Sequence, residues 1–263
     1  DVYKRQDLDR MRAKSDHDRK DDYMAGMKFK FTIQGYQTDA VDSVVKVFAG
    51  QPFQDKVSYR RDTGTRVIDH NLFNWNLSDE KLYMGFANAP IVLDGTQLLK
   101  NIHEVQNDNN IKESSELAKH MGACSLDVEM ETGTGKTYVY IKTMFELNKQ
   151  YGWSKFIVVV PSIAIREGVQ KSFQVMQDHF MEQYGKKARF FVYNSKNLTD
   201  IDNFSSSAGL AVMIINTQAF NTSFNADKNK EGRGGDKTAR IIFTPRDDFG
   251  SCLLYTSPEP TRP

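Results

Sequence analysis

Cysteine is scarce in this chain: there are two in 263 residues, Cys124 and Cys252. Cys252 falls in a terminal segment that does not read as native sequence, as described below. The remaining thiol cannot form an internal disulfide, which suits a reducing, cytoplasmic setting. Charge of one sign is also lacking. Lys and Arg number 35 against 34 Asp and Glu, a net +1, so any surface for nucleic acid is a local patch and not a general basic field. Long apolar runs are missing. The longest clean one, Phe-Ile-Val-Val-Val at residues 156–160, is far too short to span a bilayer, and no signal-peptide pattern is visible. The five histidines, His103 and His120 among them, show no metal-ligand spacing.

The two ends share one DNA word. Asp-Val-Tyr-Lys-Arg-Gln at residues 1–6 can be encoded by GAT GTG TAT AAG AGA CAG. The reverse complement, read one base in and completed by a T, encodes Cys-Leu-Leu-Tyr-Thr-Ser, which is residues 252–257. The word matches a transposon adapter used in sequencing-library preparation. Residues 1–6 and 252–263 are therefore expected to be adapter translation and are set aside from fold reasoning. That leaves residues 7–251, 245 in all, with 32 basic and 32 acidic side chains once Lys4, Arg5, Arg262, Asp1 and Glu259 are removed. Residues 7–26 read as an uncertain or disordered segment. Met24 and Met27 are both candidate starts.

What is there centres on Met-Glu-Thr-Gly-Thr-Gly-Lys-Thr at residues 130–137. Gly133, Thr134 and Gly135 allow the backbone to curl and point N–H groups inward at phosphates, together with Glu131 and Thr132. Lys136 is placed to reach β- and γ-phosphates, and the Thr137 hydroxyl to ligate Mg²⁺. A short apolar run precedes the loop at 124–128. A helical pattern through Val139, Met144 and Leu147 follows it, the strand–loop–helix order that binds phosphate. Met130 stands where such loops usually carry their first glycine.

The surrounding pattern predicts an extended segment over 28–33 and a helix over 36–48 with Ala40, Val41, Val44, Val45 and Phe48 on one face. Residues 49–93 resist assignment. Helices are expected over 91–105 and 111–120. Strands are expected at 124–128, 156–160, 188–193 and 211–215, with a long helix over 163–183 that turns Val169, Phe173, Met176 and Phe180 inward. Residues 224–238 read as a polar surface loop. Alternating strands and helices imply an α/β fold, with a mostly parallel sheet covered on both faces.

Three further segments end strands or open helices in polar groups. Gln37, with Gln34 as the second choice, could read an adenine edge, since a fixed amide both donates and accepts. Ser162 and Arg166 follow the strand at 156–160, and Thr217 follows the strand at 211–215. Both positions lie at strand carboxyl ends, where ligands sit in open α/β sheets. Their groups suit phosphates of a nucleic acid.

Taken in order, the Gln34–Phe48 segment, the loop at 126–140, Phe-Ile-Val-Val-Val-Pro-Ser-Ile-Ala-Ile-Arg-Glu-Gly-Val at 156–169 and Ile-Ile-Asn-Thr-Gln-Ala-Phe at 214–220 resemble a known family. It is the restriction (Res) subunit of type III restriction–modification enzymes, within superfamily 2 helicases. The resemblance implies an incomplete RecA-like P-loop NTPase domain over 121–251, preceded by an adenine-reading segment at 27–48 and a partly helical insertion at 49–120. It also implies ATP and Mg²⁺ as cofactors, with Lys136 and Thr137 on phosphate and metal and Gln37 on adenine. DNA is the implied substrate, contacted near Ser162, Arg166 and Thr217, and a methyltransferase/specificity (Mod) subunit is the implied partner. The family pattern continues with an acidic Asp-Glu motif, a second motor domain and a nuclease, none of which is found here. Asp79-Glu80 lies upstream of the loop, and Asp247-Asp248 has no apolar strand before it. The implied function is ATP-driven DNA translocation and cleavage by the full-length parent, with this piece inactive alone. A stand-alone superfamily 2 helicase and a nucleotide-binding module that does not turn over are the competing readings.

Overall fold

A computed structural model describes residues 31–55, 57–60, 84–118, 124–194, 199–219, 241–243 and 252–255. In chain order they form α1 (Gly35–Lys46), β1 (Val57–Arg60), β2 (Met84–Ala87), α2 (Gly95–Asp108), β3 (Cys124–Leu126), α3 (Lys136–Tyr151), β4 (Lys155–Val160), α4 (Ile163–Tyr184), β5 (Arg189–Val192), α5 (Thr199–Ser206), β6 (Ala211–Asn216), β7 (Ile241–Phe243) and β8 (Cys252–Tyr255). Among the described residues no helix is long and apolar enough to cross a membrane.

The main sheet has six strands in the order β3-β7-β8-β4-β6-β5, and β1 and β2 form a separate antiparallel pair. β4 runs parallel to β6 and β8, and β5 parallel to β6. β7 is antiparallel to both β3 and β8. Two reversals restore direction, so β3 points the same way as β4 and β6. The carboxyl ends of these three strands therefore share one edge of the sheet.

Why β4 and β6 are continuous apolar runs follows from the layers. Every residue of both strands is buried. Successive side chains point to opposite faces. Phe156, Val158, Val160, Val212 and Ile214 join the larger core with α3 and α4. Ile157, Val159, Met213 and Ile215 join a smaller one with Phe204 of α5. Burying both faces removes the polar alternation that a half-exposed strand would show. A strand so deeply buried also needs hydrogen-bond partners on both edges. Cys252–Tyr255, set aside above as adapter translation, occupies the edge of β4 opposite β6.

α3 is covered on most of its circumference, by α1, α4 and the sheet, and this explains its weak apolar periodicity. Between α3 and α4 the rings of Phe145 and Phe180 stack at 4.8 Å, Tyr138 and Phe180 at 5.5 Å, and Phe145 and Tyr184 at 5.0 Å. Such pairs contribute about 0.5–1.5 kcal/mol each beyond area burial. Phe48, fully buried at the end of α1, meets Trp153 edge-on at 5.0 Å. α3 ends at Gly152, whose φ is +80°. A Cβ there would come within 2.2 Å of the Gln54 carbonyl oxygen, so only glycine fits.

Several expectations are corrected. The helix expected over 91–105 begins at Gly95, because Asp94 caps it by accepting from Gln97 N at 2.8 Å, a contact worth about 1 kcal/mol. Residues 88–93 lie outside any helix or strand and are held by side-chain amides. Asn88 Oδ1 accepts from Ser154 N and Lys155 N, Asn88 Nδ2 donates to Lys155 O, and Gln51 donates to Pro90 O while accepting from Val92 N. The helix expected over 111–120 is not formed over 111–118. There Gln106 takes Ser114 N and Ser114 Oγ, pulling the chain back along α2. Residues 31–33 are not a strand, and 28–30 lie outside the described residues, as do His120, the loop at 224–238, Asp79-Glu80 and Asp247-Asp248. The strand expected over 124–128 stops at Leu126.

One buried charge ties α5 to the sheet. Lys155 is fully buried at the start of β4, and its Nζ donates to the carbonyls of Phe204 and Ser207 at the end of α5. Burial, aided by the positive Arg189, pulls its pKa down to about 8 from an ordinary 10.5. The folded pKa lies below the unfolded one. The unfolded chain therefore holds this proton more firmly between those values, and stability from this group rises with pH across that window. It is fully present above about pH 10.5 and is lost as pH falls through 8. The expected outcome is that wild type gains stability relative to Lys155→Met between pH 7.5 and 10.5, read by urea unfolding. A constant difference would show that the two carbonyls hold the ammonium as well as water does.

Candidate functional site

The chain leaves β3 and turns through residues 127–135 into α3. Met130 and Val128 pack against the larger core, which gives the methionine in place of glycine a structural role. Gly133 and Gly135 both have positive φ, +82° and +89°, the left-handed conformation that favours glycine. Between them Thr134 is pinned: its N and Oγ1 donate to Glu131 O at 3.4 and 2.6 Å. Gly135 is the N-cap of α3, and its carbonyl accepts from Val139 N at 3.1 Å. Lys136 and Thr137 are the first two residues of the helix and are half-buried, whereas Glu131, Thr132 and Gly133 are exposed. The first turn of α3 holds no acidic residue, so no carboxylate of its own offsets the positive end of a 16-residue helix.

Gln37 and Tyr36 reach this loop from the start of α1. Gln37 is buried and its Nε2 donates to Thr134 O at 2.9 Å, while Tyr36 OH donates to the same carbonyl at 3.3 Å. The approach is close enough that a Cβ on Gly135 would lie 2.5 Å from Gln37 Nε2. Gly135 is thus required twice, by its φ and by the glutamine. Gln34, the second candidate, is the exposed N-cap of α1 and makes no side-chain cap bond. Tyr36 is a contact that sequence reasoning missed. Its one signal was adjacency to Gln37 at a helix start.

Ser162, Arg166 and Thr217 come together at the carboxyl ends of β4 and β6. Val160 pairs with Asn216, which sets Pro161 beside Thr217, and Thr217 Oγ1 donates to Pro161 O at 3.5 Å. Ser162 is exposed and caps α4 by accepting from Ile165 N at 3.3 Å. Arg166 sits in the first turn of α4, and its Nε is buried without a hydrogen-bond partner. This cluster and the loop at 130–137 occupy the same edge of the sheet, since β3, β4 and β6 point the same way.

The helix behind the loop is wired to α4. Tyr138 OH and His179 Nε2 lie 3.1 Å apart, and Tyr184 OH donates to Glu146 Oε1 at 2.7 Å. Burial lowers the His179 pKa, with Glu182 opposing and Lys142 reinforcing the shift. Lys142 is buried in α3 and donates to Thr38 Oγ1 at 3.1 Å. Cys124, at the foot of the loop, is pushed up to about 12 by burial, which makes it an inert thiol. Among the described residues no group of three His, Cys, Asp or Glu could hold a metal ion.

A glycine turn leads from a sheet strand into a helix N-terminus, with Lys136 and Thr137 opening that helix, and the whole is an α/β protein with a parallel β4-β6-β5 core. Residues 94–243 match the family described as "Type III restriction enzyme, res subunit". This is more than half of the chain, and the chain belongs to that family; its α/β sheet is of the RecA-like type. Similar proteins include the EcoP15I Res subunit of Escherichia coli, 38% identical over 124 residues, covering 46% of this chain and 13% of that protein. The EcoPI Res subunit of Escherichia phage P1 is 38% identical over 114 residues, covering 42% and 11%. The StyLTI Res subunit of Salmonella typhimurium is 48% identical over 62 residues, covering 23% and 6%. The matched stretch is thus about an eighth of the curated relatives' length or less. β7 is the last strand inside the family match, and β8 lies beyond it.

Proposed function

We propose that this chain is the N-terminal part of the ATP-dependent DNA translocase and endonuclease subunit of a type III restriction enzyme, with ATP and Mg²⁺ held by residues 131–137. The observation that carries the reading is the loop itself. Two left-handed glycines, Gly133 and Gly135, bracket Thr134 and deliver Lys136 and Thr137 to the first turn of α3.

The donor set fits a nucleotide with its cation. Loop N–H groups and the positive end of α3 attract phosphate oxygens. The Lys136 ammonium counters charge on the β- and γ-phosphates, and the Thr137 hydroxyl supplies a hard oxygen for Mg²⁺. Gln37 keeps its Nε2 on Thr134 O, leaving its oxygen to accept from an adenine amine. The glutamine then both reads the base and braces the loop. ATP hydrolysis supplies the free energy for movement. Ser162, Arg166 and Thr217 hold the DNA backbone at the same sheet edge, and the Mod subunit supplies sequence recognition.

This reading requires a carboxylate pair to orient metal and water. The expected outcome is that the uninterrupted gene encodes an apolar strand ending in Asp-Glu within a few tens of residues after Ser251. β4 has a place for it, at the edge held here by Cys252–Tyr255. Sequencing the gene across this junction from source DNA is the check. An intact frame without such a strand would sink the motor reading and favour a nucleotide-binding module.

A further inference from the structure

We infer that Lys142 is a positioning residue for adenine selectivity: from α3 it holds Thr38, and through it the turn of α1 that carries Gln37. This deepens the nucleotide reading given above and rests on it. Lys142 is 7% exposed, and its Nζ donates to Thr38 Oγ1 at 3.1 Å, 104 residues away in sequence. Thr38 passes the contact on. Its Oγ1 donates to Gln34 O at 3.4 Å, and its N donates to the same carbonyl at 3.2 Å. Gln37, the residue before it, donates to Thr134 O at 2.9 Å. The first turn of α1 is thus tied down twice, at the loop and in the second turn of α3.

Packing alone does not call for a lysine at 142. A buried ammonium loses its hydration, and an apolar side chain of similar volume often serves the fold as well or better. No carboxylate pairs with Lys142 among the described residues. Glu146, one helical turn on, is engaged by Tyr184 and Lys149. The partner is the Thr38 hydroxyl, and a charged donor makes that bond stronger than a neutral one. The turn it holds has little other support. Gln34, the N-cap of α1, makes no side-chain cap bond, and the first turn has no acidic residue. An uncapped helix start leaves N–H groups without partners. A fixed glutamine amide tells a base amine from a base carbonyl, whereas a freely turning one presents its donor or its acceptor to either. Holding the turn therefore holds the selectivity.

The test is calorimetric titration of the whole chain, with MgCl₂, by ATP and by inosine triphosphate, which carries a carbonyl where adenine carries its amine. The variants are Lys142→Met, Thr38→Val, Thr38→Ser, the Lys142→Met/Thr38→Val pair and Gln37→Ala. Lys142→Met should weaken ATP about three- to tenfold and leave inosine triphosphate unchanged. Its stability in urea should be unchanged or raised. Thr38→Val should lose the same preference, and the double variant no more than either single one. Thr38→Ser, which retains the hydroxyl, should retain the preference. An unchanged ratio of the two affinities in Lys142→Met, whether both fall or neither does, overturns the inference. Thr38→Val decides by the same ratio if Lys142→Met does not fold. Gln37→Ala separates the two levels. If it keeps the wild-type ratio, or if wild type does not distinguish the two nucleotides, the reading of Gln37 fails and this inference with it. Wild type that binds neither nucleotide overturns both.

Discussion

Replacing Lys136 with alanine should weaken ATP binding by about ten- to a hundredfold, which corresponds to about 1.5–3 kcal/mol for hydrogen bonds to a charged group. Lys136 opens α3 directly after the left-handed Gly135, and on the proposed reading its ammonium faces the β- and γ-phosphates. The N–H groups of the loop remain in the variant, and so does the positive end of the helix. Binding should therefore fall without vanishing. Lys136→Arg should restore part of the loss only. A phosphate site that takes a compact point charge on a flexible stem does not admit a planar guanidinium in the same way. Circular dichroism confirms folding, and titration calorimetry reads the affinity. An unchanged dissociation constant in a folded Lys136→Ala chain refutes the assigned role.

The second large effect is an absence of turnover. The chain should release phosphate from ATP at a rate that DNA does not raise. Hydrolysis needs the γ-phosphate, Mg²⁺, an activated water and a transition-state cation together, and an arginine finger alone is worth about 10³–10⁵ in rate. The loop provides a lysine and a threonine. The described residues hold no cluster of acidic, His or Cys side chains able to anchor a metal. The family resemblance implies that this cation comes from a second motor domain, and no pattern for one is read in residues 7–251. The cluster of Ser162, Arg166 and Thr217 offers one basic side chain to a DNA strand, so affinity for single strands should be low and should fall steeply with salt. Steady-state phosphate release, with and without DNA, is the measurement. DNA-stimulated turnover that Lys136→Ala abolishes would place the complete catalytic set within these residues.

Local patterns read well where the chemistry is local. The turn at 130–137 needs two glycines before a helix start, and Gly133 and Gly135 take positive φ with Lys136 and Thr137 opening α3, where the spacing predicts. β4 and β6 were legible as unbroken β-branched runs, and α4 as a helix with Val169, Phe173 and Phe180 inward, all three buried. Reading failed where side chains from distant segments decide the backbone. Residues 88–93 carry apolar side chains at a helix-like density. Asn88 nevertheless ties them to Ser154 and Lys155, and Gln51 bonds Pro90 and Val92, so they stay outside the helix. The tail of α2 turns back because Gln106 captures Ser114, and no periodicity announces that pairing. α5 and the β1–β2 pair also escaped notice, being short elements whose stability comes from what they pack against.

The loop's composition alone pointed to a left-handed turn between residues 131 and 137, because that backbone conformation favours glycine, and Gly133 and Gly135 adopt it. Runs of alternating strand and helix signals likewise established an α/β protein. Only tertiary structure decided that Gln37, 97 residues from Thr134 in sequence, would close on its carbonyl. It also decided that the loop and the Ser162–Thr217 cluster would share an edge. Strand order and direction are set by long-range pairing, through β7 and β8 between β3 and β4, and such pairing leaves no mark in any local stretch of residues.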